Sequence, residues 1–266
     1  MKDSPDGTGR GHVPLDGGAM ARVTACFRQY LMGWGEQESS EGELDLYRSG
    51  LAQPQFNGVV RLRSLDRVEQ AVATARARLT GVPWWWWAGP DSPAGTAEAL
   101  ERYGAVPLGT VPLMVRPLDG TDETQPSVDG LRVERVEDPV LLTELVRTYS
   151  ASMGVAPDLE AGVVRIEARR ADNADIVRLA AVLDGRVVGT TVVIMAHQVA
   201  GIFLVHVAAT HRRRGVGGAL TAAALRVGRE RGTELAALGA SAAGEPLYRR
   251  LGFTPVSEYH LLTVPD

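Results

Sequence analysis

The sequence has one cysteine, Cys26, and one lysine, Lys2, among 266 residues. A single thiol cannot close an internal disulfide, and no cysteine–histidine spacing suggests a metal cluster, so no metal site is expected. Long apolar runs are also missing. The longest are strand-sized, far short of the ~20 residues that span a bilayer. The amino terminus lacks the apolar core of a secretion signal. These absences make a cytoplasmic protein with no membrane partner the expectation. Positive charge is not in excess: 28 basic side chains meet 32 acidic ones, for a net charge of −4. No global basic field recruits nucleic acid, so no nucleic-acid partner is expected. Aromatic residues are sparse, at 6% of the chain, which makes the run Trp84–Trp87 stand out.

What remains is an ordinary globular composition, 45% apolar and 23% charged. It excludes a mostly disordered chain, and the length suits one large or two small domains. Arginine supplies nearly all the basic residues beside abundant Ala, Gly and Val, which reads as the coding bias of a GC-rich genome.

Two polar stretches divide the chain. Residues 1–19 are glycine-rich and almost free of large apolar side chains, so they cannot offset their ordering entropy. They are expected to form a disordered leader. Residues 119–127, Asp119-Gly-Thr-Asp-Glu-Thr-Gln-Pro-Ser127, read as an interdomain linker. Segments 20–118 and 128–266 lie on either side of it.

In the first segment, apolar spacing predicts a helix over 20–33, with Val23, Phe27, Tyr30 and Leu31 on one side. Strands are expected at 43–48, 56–63, 84–87 and 111–115. Ser64 is the expected N-cap of a helix over 65–79, and a short helix is expected over 96–103. In the second segment, strands are expected at 131–136, 176–183, 186–195, 201–207, 235–238 and 253–264. Asp184-Gly185 is the pair preferred by a type I′ hairpin turn. Asp138 caps a helix that opens on Pro139. Further helices are expected at 157–170, 215–230 and 245–251.

The informative stretch runs from Val205 through His206, Val207 and Ala209 to Arg212-Arg213-Arg214-Gly215-Val216-Gly217-Gly218. A strand enters a basic, glycine-rich turn and a helix follows at once. The first N–H groups of that helix have no intrahelical partners and sit at its positive end. Glycines let a ligand approach the backbone, and the three arginines add charge. The turn is a ready site for a pyrophosphate.

These residues resemble the GNAT acetyltransferase superfamily, which carries Arg/Gln-x-x-Gly-x-Gly/Ala between its fourth strand and third helix. Downstream, Leu247-Tyr248-Arg249-Arg250-Leu251-Gly252-Phe253 fits the family's second motif. Ser241 stands where the family often has Asn, and Ala209 where it often has Pro. The resemblance covers about residues 128–266. It implies transfer of an acetyl group from acetyl-CoA to the amine of a small molecule or peptide. It implies that the backbone of Val205, Val207 and Ala209 lines the pantetheine, with Ser241 and Tyr248 nearby. The pyrophosphate would lie on the turn from Arg212 to Gly218. Tyr248 aligns with the family's general acid for the departing thiolate.

No base is evident. The strand positions that carry one in relatives are Gly201, Phe203 and Val205, and alternation turns His206 to the opposite face. Glu160, Glu167, Glu258 and His260 remain candidates without a means of choosing. A non-catalytic acyl-CoA or small-molecule binding module stays open as the alternative.

The first segment resembles the amino-terminal half of two-domain bacterial members, through Phe56-Asn57-Gly58-Val59, the tryptophan run with Gly89-Pro90, and Met114. It holds no glycine cradle: residues 61–67 read RLRSLDR. It is expected to bind no coenzyme and to help shape the acceptor pocket. Two tryptophans should face each way along their strand, in the core, a subunit contact or a ligand cleft. The expected fold class is α/β (α+β), a tandem fold with a mixed central sheet flanked by helices in each half, as a monomer or homodimer.

Overall fold

The computed structural model describes residues 15–38, 42–119 and 128–265. Helix α1 (Gly17–Met32) starts inside the expected leader, because the Asp16 side chain accepts from Ala19 N–H and Ala19 is buried. The rest of that leader, 1–14, and 120–127 of the expected linker lie outside the described residues. Next come β1 (Glu36–Glu38), which the sequence does not announce, β2 (Leu44–Arg48), β3 (Asn57–Leu62) and α2 (Val68–Arg78). They are followed by β4 (Trp85–Ala88), α3 (Thr96–Glu101) and β5 (Val106–Pro117). Ser64 does not cap α2. Its hydroxyl accepts from Asp66 N–H in a local turn, and the helix begins only at Val68 with no side-chain cap.

The second half runs β6 (Arg132–Arg135), α4 (Pro139–Met153), α5 (Glu160–Arg169), β7 (Ile176–Leu183) and β8 (Arg186–Ala196). It continues through β9 (Val199–Val207), α6 (Val216–Glu230), β10 (Leu235–Gly239), α7 (Glu245–Arg250) and β11 (Thr254–Thr263). Asp138 caps α4 as expected, accepting from Val140 and Leu141 N–H, and left-handed Gly154 ends it. Asp184 and Gly185 both have positive φ, as the hairpin turn between β7 and β8 requires.

Among the described residues, eleven strands join one sheet, in the order β1-β2-β3-β4-β11-β5-β10-β9-β8-β7-β6. Each half lends its last strand to the other. Strand β11 pairs with β4, Leu262 opposite Trp86, and β5 pairs with β10, Met114 opposite Leu238. The linker in sequence is therefore no boundary in space, and the exchange leaves neither half an open edge at the join.

Helices cover both faces. Phe27 and Tyr30 of α1 share a core with Leu145 and Tyr149 of α4, Val163 of α5, and Val192 and Val199 of the sheet. On the other face, Ala223 and Leu225 of α6 and Tyr248 of α7 pack with Val193, Ala200 and Leu238. Val192 and Val193 thus serve opposite layers, as the period of a strand demands. A third core joins Val72 of α2 and Leu100 of α3 to Trp84, Trp86 and Leu262.

Candidate functional site

Strands β8 and β9 pair antiparallel, but their register slips: Thr190 faces His206 while Val192 faces Phe203. Leu204 and Val205 therefore stand together opposite Thr191, a β-bulge, with Leu204 at φ +50°. Two fully buried threonines satisfy the displaced carbonyls. Thr190 Oγ1 donates to Leu204 O at 2.8 Å, and Thr191 Oγ1 to Phe203 O at 3.2 Å.

The bulge restarts the alternation and corrects the expectation for His206. Phe203 and His206 both face the layer of α1 and α4. Phe203 stacks on Tyr30 of α1, and His206 Nδ1 lies 2.9 Å from Ser152 Oγ of α4. Burial, with Arg212 beside it, lowers the His206 pKa to about 4, so the imidazole is neutral at pH 7.

Strands β9 and β10 pair in parallel over Val199–Ile202 and Leu235–Leu238, then separate. Beyond the split, β9 follows β8, whereas the chain after β10 follows β5, with Ala240 N–H donating to Pro112 O. A gap between parallel strands is left along residues 203–207. Val207 O is already engaged, accepting from Arg212 Nε at 3.1 Å.

The basic turn closes the end of this gap. Gly215 is the N-cap of α6 at φ +86°, and no side chain caps the helix. Val216 is 1% exposed and packs on Val188 and Leu220, so its side chain anchors the first turn to the sheet. The N–H groups of Val216, Gly217 and Gly218 have no intrahelical partner. A Cβ at Gly217 would sit 3.3 Å from the Leu247 side chain, a tight contact that favours glycine there. Arg212, Arg213 and Arg214 are exposed around the turn. Uncapped donors, glycines at the contact and three guanidiniums fit a pyrophosphate.

Tyr248 sits on α7, whose start is held by Ser241: its hydroxyl accepts from Gly244 N–H, and its carbonyl from Glu245 N–H. A Cβ at Gly244 would approach the Tyr248 ring to 2.9 Å, so that glycine seats the phenol. The end of α7 is held across the join, where Arg116 of β5 donates to Leu251 O at 2.6 Å. Tyr248 is 7% exposed, and burial raises its pKa to about 12.

Tyr248, Ser241, Val205 and His206 line one cavity of about 260 Å3. Its remaining wall is largely aromatic and comes largely from the first half: Phe27, Tyr30, Trp34, Phe56, Trp85 and Trp87. The tryptophan run divides as expected. Trp84 and Trp86 are buried in the first half's core, while Trp85 and Trp87 face the cavity. Ala209 and Arg212 border a separate groove of about 890 Å3 along α4.

The other base candidates lie elsewhere. Glu167 is 1% exposed and bound to Arg178 at 2.6 Å and Tyr149 Oη at 3.1 Å, a structural ion pair. Glu160 faces Arg147 at 3.6 Å. Glu258 and His260 border a groove beside Gly89 and Glu98. None of the four lines the cavity that holds Tyr248. Sequence reasoning turned His206 away from the site, and it missed Gly244, Arg116 and the aromatic wall outside the tryptophan run.

The matching gap in the first half is closed by its own side chains. Parallel β3 and β4 pair only at Gly58–Trp85 and Val59–Trp86, and beyond them Leu62 N–H donates to Ser92 Oγ. Asp45, 5% exposed, gathers Arg61 at 2.9 Å, Arg63 at 2.7 Å and Arg28 at 3.6 Å, and Arg28 also bonds Asp91. Helix α2 carries Glu69 in its first turn, which repels a phosphate where α6 has glycine.

Residues 142–253 match the family model of the acetyltransferase (GNAT) family. No curated protein matches the chain. Among solved structures, a GCN5-related N-acetyltransferase from Kribbella flavida is similar at 22% identity and TM-score 0.71, covering 94% of this chain and 97% of that one. Another, from Sphaerobacter thermophilus, has 19% identity and TM-score 0.63 over 83% of this chain and 75% of that one. A tandem GNAT protein from the clavulanic acid biosynthesis pathway has 17% identity and TM-score 0.58 over 96% and 98%. These likenesses show the tandem GNAT fold. Residues 142–253 are thus similar to the GNAT acetyltransferase family, within a chain of tandem GNAT fold.

Proposed function

We propose that the chain is an N-acetyltransferase that moves an acetyl group from acetyl-CoA to the amine of a small molecule. One observation carries this reading. The gap between β9 and β10 leads from the uncapped, glycine-lined start of α6 to the cavity that holds Tyr248. Acetyl-CoA, when bound, supplies an acetyl group activated as a thioester. The turn from Arg212 to Gly218 holds its pyrophosphate, and the open edge of β9 near Val205 and Val207 holds the pantetheine. Arg212 must then release Val207 O or share it.

The reaction forms an N–C bond and breaks a C–S bond. The amine loses one proton and the sulfur gains one. Tyr248 keeps its proton throughout the neutral range, since burial has raised its pKa. It donates a hydrogen bond to the departing sulfur and gives up its proton as charge builds there. His206 is the proton acceptor nearest in role. In the tautomer that donates Nδ1–H to Ser152 Oγ, Nε2 is left to accept.

One observation favours a non-catalytic binding module: an imidazole with a pKa of about 4 is a weak base. Calorimetry with acetyl-CoA, followed by thiol release against a panel of amines, separates the readings. The transferase gives one site per chain and amine-dependent thiol release. Binding without release from any amine assigns the module instead, and absent binding sinks the transferase and leaves the non-catalytic module.

A further inference from the structure

The cavity beside Tyr248 has an unusual chemistry for an amine site. Among the described residues, no Asp, Glu, Lys or Arg lines it. Its walls present indole, phenol and phenyl groups, and its polar groups are few, chiefly Gln55, Ser241 and His206. An ammonium ion entering it would lose water and gain no counter-charge, a large cost in such a medium.

Aromatic faces can hold a cation, but here a cation is already in place. The Arg170 guanidinium lies 4.7 Å from the centre of the Tyr30 ring and 5.4 Å from that of Trp34. It is fully buried and paired with Asp172 at 2.8 Å. A second guanidinium stands at the other end, where Arg212 reaches Ser152 Oγ beside His206. Those ring faces are therefore already taken, and Arg212 adds positive charge near the His206 end.

Size narrows the choice further. About 260 Å3 suits one ring or a short apolar body. Flat aromatic walls match a flat aromatic guest.

Resting on the transferase reading above, we propose that the acceptor is a weakly basic aromatic amine, uncharged when it enters, and that the cavity rejects ammonium ions and polyamines. The amine of such an acceptor carries no surplus proton before attack. The proton freed as the N–C bond forms passes to His206 or water, and the C–S bond breaks with proton donation from Tyr248. A strong base is then unnecessary, in keeping with the surroundings of His206.

The test uses the full chain and three probes: aniline, benzylamine and spermidine. Quenching of tryptophan emission, without acetyl-CoA, reads cavity binding through Trp85 and Trp87. Aniline is expected to quench at least about tenfold more tightly than either charged amine at pH 7. Acetyl transfer is expected to follow the same order in kcat/KM. Benzylamine should gain on aniline as pH rises and its free base appears. Gln55→Glu adds one carboxylate to the wall at almost constant shape, and should narrow the aniline preference about tenfold. Equal or tighter binding of spermidine overturns the proposal, as does aniline that fails to quench. Acetyl-CoA binding is measured separately by calorimetry. Its failure alone overturns the transferase reading, while quenching still decides what the cavity selects.

Discussion

Tyr30 and Phe203 lie nearly parallel with ring centres 3.7 Å apart, and this stack joins α1 of the first half to the bulged strand of the second. Phe27 adds to it, 5.1 Å from Phe203 and 4.5 Å from Tyr259 of β11. The wall of the cavity beside Tyr248 is thus built across the join between the halves. The first half acts on the site through this wall and through Arg116, which holds the end of the helix that bears Tyr248.

Replacing Tyr248 by Phe keeps the packing of the ring against Phe253 and removes only the hydroxyl. Turnover should fall about a hundredfold, the usual contribution of a positioned acid. The heat of acetyl-CoA binding should stay as in the parent. Unchanged turnover in steady-state thiol release removes Tyr248 from the acid role.

Gly217→Glu places bulk and negative charge where the cradle presents backbone donors, against the Leu247 side chain. Acetyl-CoA should then give no calorimetric heat and no rise in melting temperature. A normal titration in this variant rules out the cradle.

His206 titrates at about 4 in the folded protein, against 6.5 for an ordinary histidine. Between those values the unfolded chain binds a proton that the folded protein does not. Stability therefore falls as pH drops from 6.5 toward 4 and levels off below, and nothing is lost above 6.5. His206→Gln should shrink the stability difference between about pH 7 and 5 by up to about 2 kcal/mol. Urea midpoints of both proteins at the two pH values check this, and an equal difference in both excludes neutral burial of the imidazole.

Glu167 is buried between Arg178 and Tyr149, joining α5 to β7 and α4. Glu167→Gln leaves Arg178 with a buried charge and a lost ionic partner. It should destabilise the protein by about 3–5 kcal/mol, read from denaturant unfolding. A loss below 1 kcal/mol, typical of exposed pairs, shows that the pair is solvated.

The first half expressed alone, residues 15–119, lacks β11, and its β5 then has neither of its neighbours. It should fail to show cooperative unfolding by circular dichroism. A sharp transition from that fragment means the half closes its own sheet.

The sequence by itself determined the elements and the motif. Apolar period set α1 from residue 20 onward, Asp138-Pro139 set the start of α4, and Asp184-Gly185 set a hairpin, because each depends on contacts within a few residues. Arg212-Arg213-Arg214-Gly215-Val216-Gly217 marked a candidate cradle for the same reason: its donors belong to one helix end. Ser64 failed as a cap because its hydroxyl had a nearer donor in Asp66 N–H. Only the tertiary structure decided the exchange of β5 and β11, the side to which His206 turns and the aromatic wall. Strand pairing is chosen by partners far apart in the chain, and one extra residue in a bulge reverses every later side chain. The cavity beside Tyr248 exists only where Phe27, Tyr30 and Trp87 meet Phe203 and Tyr248, and no local pattern records a meeting between halves.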